Sequence, residues 1–242
     1  MFMSASKLSH YPASTSNTPV AGYQAWYNPT TIQQTAGVVT AWNDGSANAF
    51  NISTAHALPT YNSTAINGLP GVQLNGTSQY LSGTPTLGNL ISKTAYTIYC
   101  VYQIAAYTGT NNTGVGGNAS VFCDSGGFCL QGAGSTHLIA LENDGSPKVV
   151  DAGAIGTGIT VITEQFYDGT NLNFRVNGTN QTPTASTGVS TTSGTMHIGA
   201  NVTPSQFFEG YICELIFYNT TLSAGNMTSN RSYLGTKYAG TG

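Results

Sequence analysis

The chain has 242 residues, a net charge of −3 and only 6% charged side chains, against 14 Tyr, 9 Phe and 2 Trp. Many aromatics at little charge exclude an intrinsically disordered chain, and the length suits one large β domain that buries roughly 70–75% of its unfolded surface. Six scattered Lys and Arg give no footprint for nucleic acid and no patch for an acidic membrane, and no apolar run reaches the ~18–20 residues that span a bilayer.

Residues 1–22 are polar and rich in Ser, Thr and Pro, and read as an extended N-terminal arm that docks on a partner subunit. The start, MFMSASKLSHYPAST, lacks the apolar core of a signal peptide, so the expectation is synthesis in a cytoplasm without general secretory export. Residues 23–242 read as one domain. Period-2 alternation predicts strands at 38–42, 72–74, 95–104, 137–141, 159–167, 171–176, 195–198 and 211–218. In the third of these, Tyr96, Ile98, Cys100, Tyr102 and Ile104 share one face. Asn67-Gly68, Asn75-Gly76, Asp144-Gly145, Asp168-Gly169 and Asn177-Gly178 supply turns between strands. One helix is predicted near the end, capped by Ser223, with Met227, Leu234 and Tyr238 on one face.

Residues 123–129, CDSGGFC, look like the nucleophile loop of a serine protease, with His56 in STAHA as its base. A triad needs a carboxylate to orient the histidine. No Asp or Glu lies between His56 and Asp124, and Asp44 or Asp151 would have to converge on the pair in an unrelated fold. The stretch with Ser125 therefore reads as a tight polar turn. His10, His56, His137 and His197 stand isolated without metal-ligand spacing, and no phosphate loop or GxSxG elbow is present. Glu142 and Asp144 in LENDGS form a close acid pair, but the Asp-Gly turn makes Asp144 a turn residue rather than half of a glycosidase pair. Cys100 and Cys213 read as small core residues. Cys123 and Cys129 would close a short hairpin only if oxidised, against a reducing compartment.

Two stretches carry a resemblance. Residues 38–83 hold Trp-x-Asp-x-Ser, Pro-x-Tyr, Asn-Gly-x-Pro and Gly-x-x-x-Tyr-Leu in that order; residues 207–238 hold Gly-x-Ile-x-Glu, Tyr-Asn, Leu-Ser and a helix ending Tyr-Leu…Lys-Tyr. Between them lie DGTNLNFRVNG and MHIGAN. The ordered set resembles the concanavalin A-like (laminin-G-like) jelly roll, of the kind found in bacteriophage virion proteins and bacterial surface proteins. The resemblance implies an all-β, two-sheet antiparallel jelly-roll sandwich with a short C-terminal helix, in which the first and last strands pair and the helix covers a sheet end. The Glu-x-Asp-x-(x)-Glu strand of the hydrolase members is missing, which implies a protein that is not an enzyme. Cofactors are not expected; calcium stays open through Asp44 beside Asn43 and Asn48.

Trp26, Tyr27, Trp42 and Asp44 are the candidate carbohydrate-binding residues, each with a structural reading beside it: Trp42 as core, Asp44 as an acceptor within its own turn. His56 reads as a loop residue. Two functions follow as expectations. One is a non-enzymatic virion component, a capsid decoration, head-fibre or tail-associated protein, homo-oligomeric, meeting neighbouring subunits through residues 1–22 and host-surface glycans through its sandwich. The other is a lectin-like module of a secreted or surface protein.

Overall fold

The computed structural model describes residues 16–106, 119–123, 129–133, 137–190, 194–201 and 206–238. His10, Asp124 and Ser125, and the side chains of Cys123 and Cys129, lie outside the described residues. In chain order the strands are β1 (Ala25–Tyr27), β2 (Ile32–Thr35), β3 (Val38–Trp42), β4 (Thr54–His56), β5 (Thr60–Ile66), β6 (Leu69–Asn75), β7 (Tyr80–Thr86), β8 (Tyr96–Ala106) and β9 (Ala119–Cys123). They continue as β10 (Cys129–Ala133), β11 (His137–Asn143), β12 (Pro147–Ala154), β13 (Thr160–Tyr167), β14 (Asn171–Val176), β15 (Thr179–Asn180), β16 (Thr184–Ala185), β17 (Thr195–Ile198) and β18 (Glu209–Tyr218). A single turn, α1 (Leu87–Leu90), precedes β8, and α2 (Ala224–Tyr238) closes the described chain.

The strands form two antiparallel sheets. The first runs β15-β14-β13-β8-β18-β6-β5-β3-β2, with β16 also on β14 and β1 also on β18; the second runs β12-β11-β10-β9-β17-β7-β4. The expected pairing of first and last strands is present: Ala25, Trp26 and Tyr27 face Phe217, Ile216 and Leu215. One edge of β18 is thus shared, β6 along its start and β1 along its end. The Asn-Gly turns behave as their chemistry requires. Asn67-Gly68 and Asn177-Gly178 have positive φ at both residues, which Asn and Gly tolerate best.

Alternation along β8 divides the interior. Tyr96, Ile98, Cys100, Tyr102 and Ile104 face the layer between the sheets, with Leu81, Phe122, Leu138, Val161 and Ile198 among the residues they join. Tyr99 and Val101 point the other way, into a second cluster with Cys213, Ile216, Tyr218, Tyr233, Leu234 and Tyr238. Cys100 and Cys213 are both free and buried. The register on β18 slips between Ile212 and Glu214, and this bulge turns Glu214 to the same outer face as Ile216 and Tyr218.

α2 therefore covers the outer face of the first sheet, not a sheet end as expected. Its sequence, AGNMTSNRSYLGTKY, is poor in helix formers. Thr228, Ser229 and Ser232 donate their hydroxyls back to carbonyls four residues earlier, which favours other conformations as readily. What holds the helix is tertiary contact: Met227, Tyr233, Leu234 and Tyr238 are buried. Ser223 caps it as expected, accepting from Asn226 N at 3.3 Å. The described part of the N-terminal arm lies on the same helix. Val20 N donates to Asn230 Oδ1 at 2.8 Å, and the Tyr218 hydroxyl donates to Val20 O at 2.7 Å.

Candidate functional site

The structure separates the four sugar-binding candidates. Trp42 is fully buried and donates its indole N–H to Asn28 O at 2.9 Å. Tyr27 is 1% exposed and donates to Phe50 O at 2.5 Å; burial, then the nearby Asp44 charge, pushes its hydroxyl far above the ordinary tyrosine value. Neither ring offers a face to a ligand. Asp44 ties the chain together: Oδ1 accepts from Trp26 N and Ser46 N at 2.8 Å each, Oδ2 from Phe50 N at 3.0 Å and from the Ser46 hydroxyl at 2.5 Å. With four donors on it, the carboxylate has no lone pair aimed at a cation, and no group of three or more His, Cys, Asp or Glu able to hold a metal occurs among the described residues. Trp26 is half-buried and donates to Glu214 Oε1 at 2.6 Å, beside the Lys237 ammonium. Only Trp26 keeps part of its ring in solvent.

The acid pair of LENDGS is also taken apart. Glu142 is fully buried between the sheets and accepts from the Tyr96 hydroxyl. Asp144 stays in its turn, accepting from Ser146 N and Thr187 N at 3.3 and 3.1 Å. Asp151 pairs with His137 at 2.9 Å.

The outer face of the second sheet brings together residues that the sequence left apart. Leu81 and Ile198 point inward, so Tyr80, Ser82 and His197 point outward. Ser82 is the register partner of both Thr54 and His197, and His56 that of Tyr80. His56, expected in a loop, lies on edge strand β4. Its ring stacks on Tyr80 at 3.9 Å and 3°, while its Nε2 bonds Ser82 Oγ at 2.9 Å. On the other side Tyr80 meets His197 at 5.2 Å and Phe207 at 6.2 Å, both tilted. All four rings are half-buried.

The electrostatics follow from these contacts. His197 Nδ1 lies 2.9 Å from Asn201 O. A carbonyl only accepts, so Nδ1 carries the proton, and Nε2 of the neutral ring is left as an acceptor. Burial, reinforced by His197, lowers the pKa of His56 below the ordinary imidazole value.

Two surface depressions lie elsewhere. One, of about 230 Å³, is lined by Ser16, Asn17, Tyr233, Thr236 and Lys237. Lys237 and Tyr233 are already engaged by Glu214, at 2.7 Å each. The other, of about 220 Å³, is lined by Phe166, Asn173, Arg175, Asn180, Gln181 and Pro183. Here the Arg175 guanidinium lies over the Phe166 ring and pairs with Glu164. In both, the chemistry is directed inward. The row His56–Tyr80–His197, with Ser82 and Phe207, combines rings partly in solvent with a free acceptor.

No helix of the described residues is long and apolar enough to cross a membrane. No protein-family model matches the chain, and no curated protein matches it. Solved structures do. Domain 4 of AbnA, a GH43 extracellular arabinanase from Geobacillus stearothermophilus, determined in complex with arabinotriose, is similar at 15% identity and a TM-score of 0.56 over 88% of this chain and 98% of that one. The binding domain of Paraclostridial Mosquitocidal Protein 1 is similar at 12% identity and a TM-score of 0.60 over 88% and 52%. The receptor-binding domain of a botulinum neurotoxin C/D mosaic serotype is similar at 12% identity and 0.58 over 88% and 51%, so the chain spans about half the length of these two toxin structures. At such identities the likeness is one of fold: an all-β sandwich shared with binding domains of quite different proteins.

Proposed function

We propose that the chain is a glycan-binding β-sandwich module. The observation that carries this reading is the half-exposed row of rings His56–Tyr80–His197 on the outer face of the second sheet, flanked by Ser82 and Phe207. A sugar presents C–H groups on its ring faces and hydroxyls around its rim. Rings that keep part of their surface in solvent receive the first, and a few fixed polar groups the second. His197 Nε2 accepts a rim hydroxyl, because Nδ1 is held as donor by Asn201 O. Ser82, already oriented by His56, offers a second polar contact. The fold likeness to a domain solved with arabinotriose supports the same class of ligand. Recognition is assigned here, not cleavage: Glu142 is enclosed and Asp144 held in its turn, so the LENDGS pair does not flank a scissile bond.

The test is a glycan array with the isolated chain, followed by NMR titration of the best saccharide. Expected are shifts at Tyr80, Ser82 and His197, and a loss of about tenfold or more in affinity for Tyr80→Ala. Binding that survives Tyr80→Ala and shifts residues around Trp26 instead would move the site to the first sheet.

The same module set in a virion is the second reading, favoured by the low-charge composition and the sequence resemblance. Since Val20 bonds to Asn230 of its own helix and to Tyr218, docking on a neighbouring subunit is assigned to residues 1–15. Native mass measurement with and without those residues tests it. An oligomer that dissociates on trimming supports the docking; a monomer at both lengths opposes it.

A further inference from the structure

The turn joining β4 to β5 is built against local preference. Ala57 and Leu58 are consecutive non-glycine residues in the left-handed region, at φ 53° and 57°. Each carries the Cβ crowding that normally reserves this region for glycine. Leu58 also precedes Pro59, a position steered towards extended backbone. The surroundings hold the turn in place. Gln79 Nε2 donates to Ala57 O at 3.3 Å and to Leu58 O at 2.8 Å. Buried Pro59 accepts from Val39 N at 2.8 Å.

What the strained turn displays is Leu58, 69% exposed and the one large hydrophobic side chain exposed among the described residues. It lies two residues from His56, and the amide that clamps it belongs to the neighbour of Tyr80. Strain that is actively maintained beside a site is a pointer to function. A single aliphatic side chain is far too small to anchor a protein partner, which needs about 1,000 Å² or more of buried surface. It matches one methyl-sized group of a ligand already seated on the rings.

We infer that Leu58 is a specificity-determining contact of this site, receiving the methyl group of a sugar's rim substituent, either a 6-deoxy methyl or the methyl of an N-acetyl group. The inference rests on the glycan-binding reading. The clamp on Ala57 and Leu58 sets the isobutyl group before the ligand arrives, so that little ordering remains to be done on binding.

The experiment is NMR titration of the ¹⁵N-labelled chain with matched pairs: L-fucose against L-galactose, L-rhamnose against L-mannose, and N-acetylglucosamine against N-formylglucosamine. The wild-type chain should prefer the methyl-bearing member of at least one pair by about three- to tenfold, the value of roughly one buried methyl. Leu58→Gly should abolish that preference while keeping affinity for the plain member. Its melting temperature should hold or rise, because glycine adopts this φ freely. Leu58→Met, still apolar, should retain the preference. The pair that responds identifies the source of the methyl. A preference absent in the wild type, or unchanged in Leu58→Gly, overturns the inference and leaves the glycan site standing. No shift at Tyr80, Ser82 or His197 with any saccharide overturns the site and the inference together.

Discussion

Asp44 shows how one side chain closes several accounts at once. Its two oxygens receive three backbone N–H groups and one hydroxyl, joining β1 to the turn after β3. Asp44 is 9% exposed, so water is a poor substitute for its carboxylate at these donors. Asp44→Ala strands these donors, each costing about 1–3 kcal/mol where it is buried, for a total loss of about 2–4 kcal/mol because part of the turn relaxes towards solvent. Urea unfolding measures this. The folded fraction of the variant should bind saccharide as the wild type does, because Asp44 belongs to the first sheet and the ring row to the second. If the variant keeps its stability but loses saccharide or calcium binding, Asp44 is a ligand-binding residue and its structural role is minor.

At the scale of elements, α2 is a weak helix made firm by what it touches. Glu214, fully buried, accepts from Trp26 Nε1, Tyr233 OH, Tyr238 OH and Lys237 Nζ, three of these donors belonging to the helix. Burial, followed by the Glu214 charge, pushes both tyrosine hydroxyls far up, so they stay donors at any ordinary pH. Glu214→Ala leaves Lys237 without its buried partner and should cost about 3–5 kcal/mol in chemical denaturation; Asn230→Ala, by releasing Val20 N, should instead make residues 16–22 sensitive to protease with the core intact. An arm as resistant in Asn230→Ala as in wild type would show that Val20 is held by other contacts. Much of this architecture was legible in the sequence. The strands 171–176 and 195–198 match β14 and β17, and the face of β8 and the Ser223 cap were readable from alternation and capping chemistry. The covering of a sheet face by α2 was not, because the bulge at Cys213 that re-aims Glu214 leaves no mark in a period-2 pattern. The ring row was hidden for a related reason. Tyr80 and His197 sit in quoted motifs, but only the register of β7 with β17, far apart in sequence, makes them neighbours.

Across the whole molecule, Asp168, His56 and Glu142 contribute to the pH dependence of stability, and their signs differ. Asp168 lies on a turn where burial raises its pKa but the bonds from Asn173, Thr170 and Asn171 outweigh this and hold it at about 2. Its contribution is present above 3.8 and is lost as pH falls through 2. His56, lowered by burial and by His197, stabilises fully above 6.5, and that contribution is lost as pH falls through its folded value. Glu142 runs the other way. Burial raises its carboxyl by more than the bonds from Ser186 and Tyr96 lower it, so its contribution is complete below 4.5 and is lost as pH rises through the folded value. The wild-type curve should therefore climb from pH 2 to 4, after which His56 and Glu142 act with opposite signs, Glu142 losing stability above 4.5 and His56 adding it up to 6.5. Glu142→Gln keeps an acceptor for Tyr96 but has no proton to lose. Its curve should go on climbing to 6.5, with a melting temperature at pH 8 higher by about 2–4 °C for each kcal/mol relieved. His56→Asn should do the reverse and fall across the same window. Because Glu142 lies between the sheets and His56 on the outer face of one, the double variant should show the sum of the two changes. Parallel wild-type and Glu142→Gln curves from pH 4 to 8 would mean that the buried carboxyl keeps one protonation state throughout and does not oppose His56.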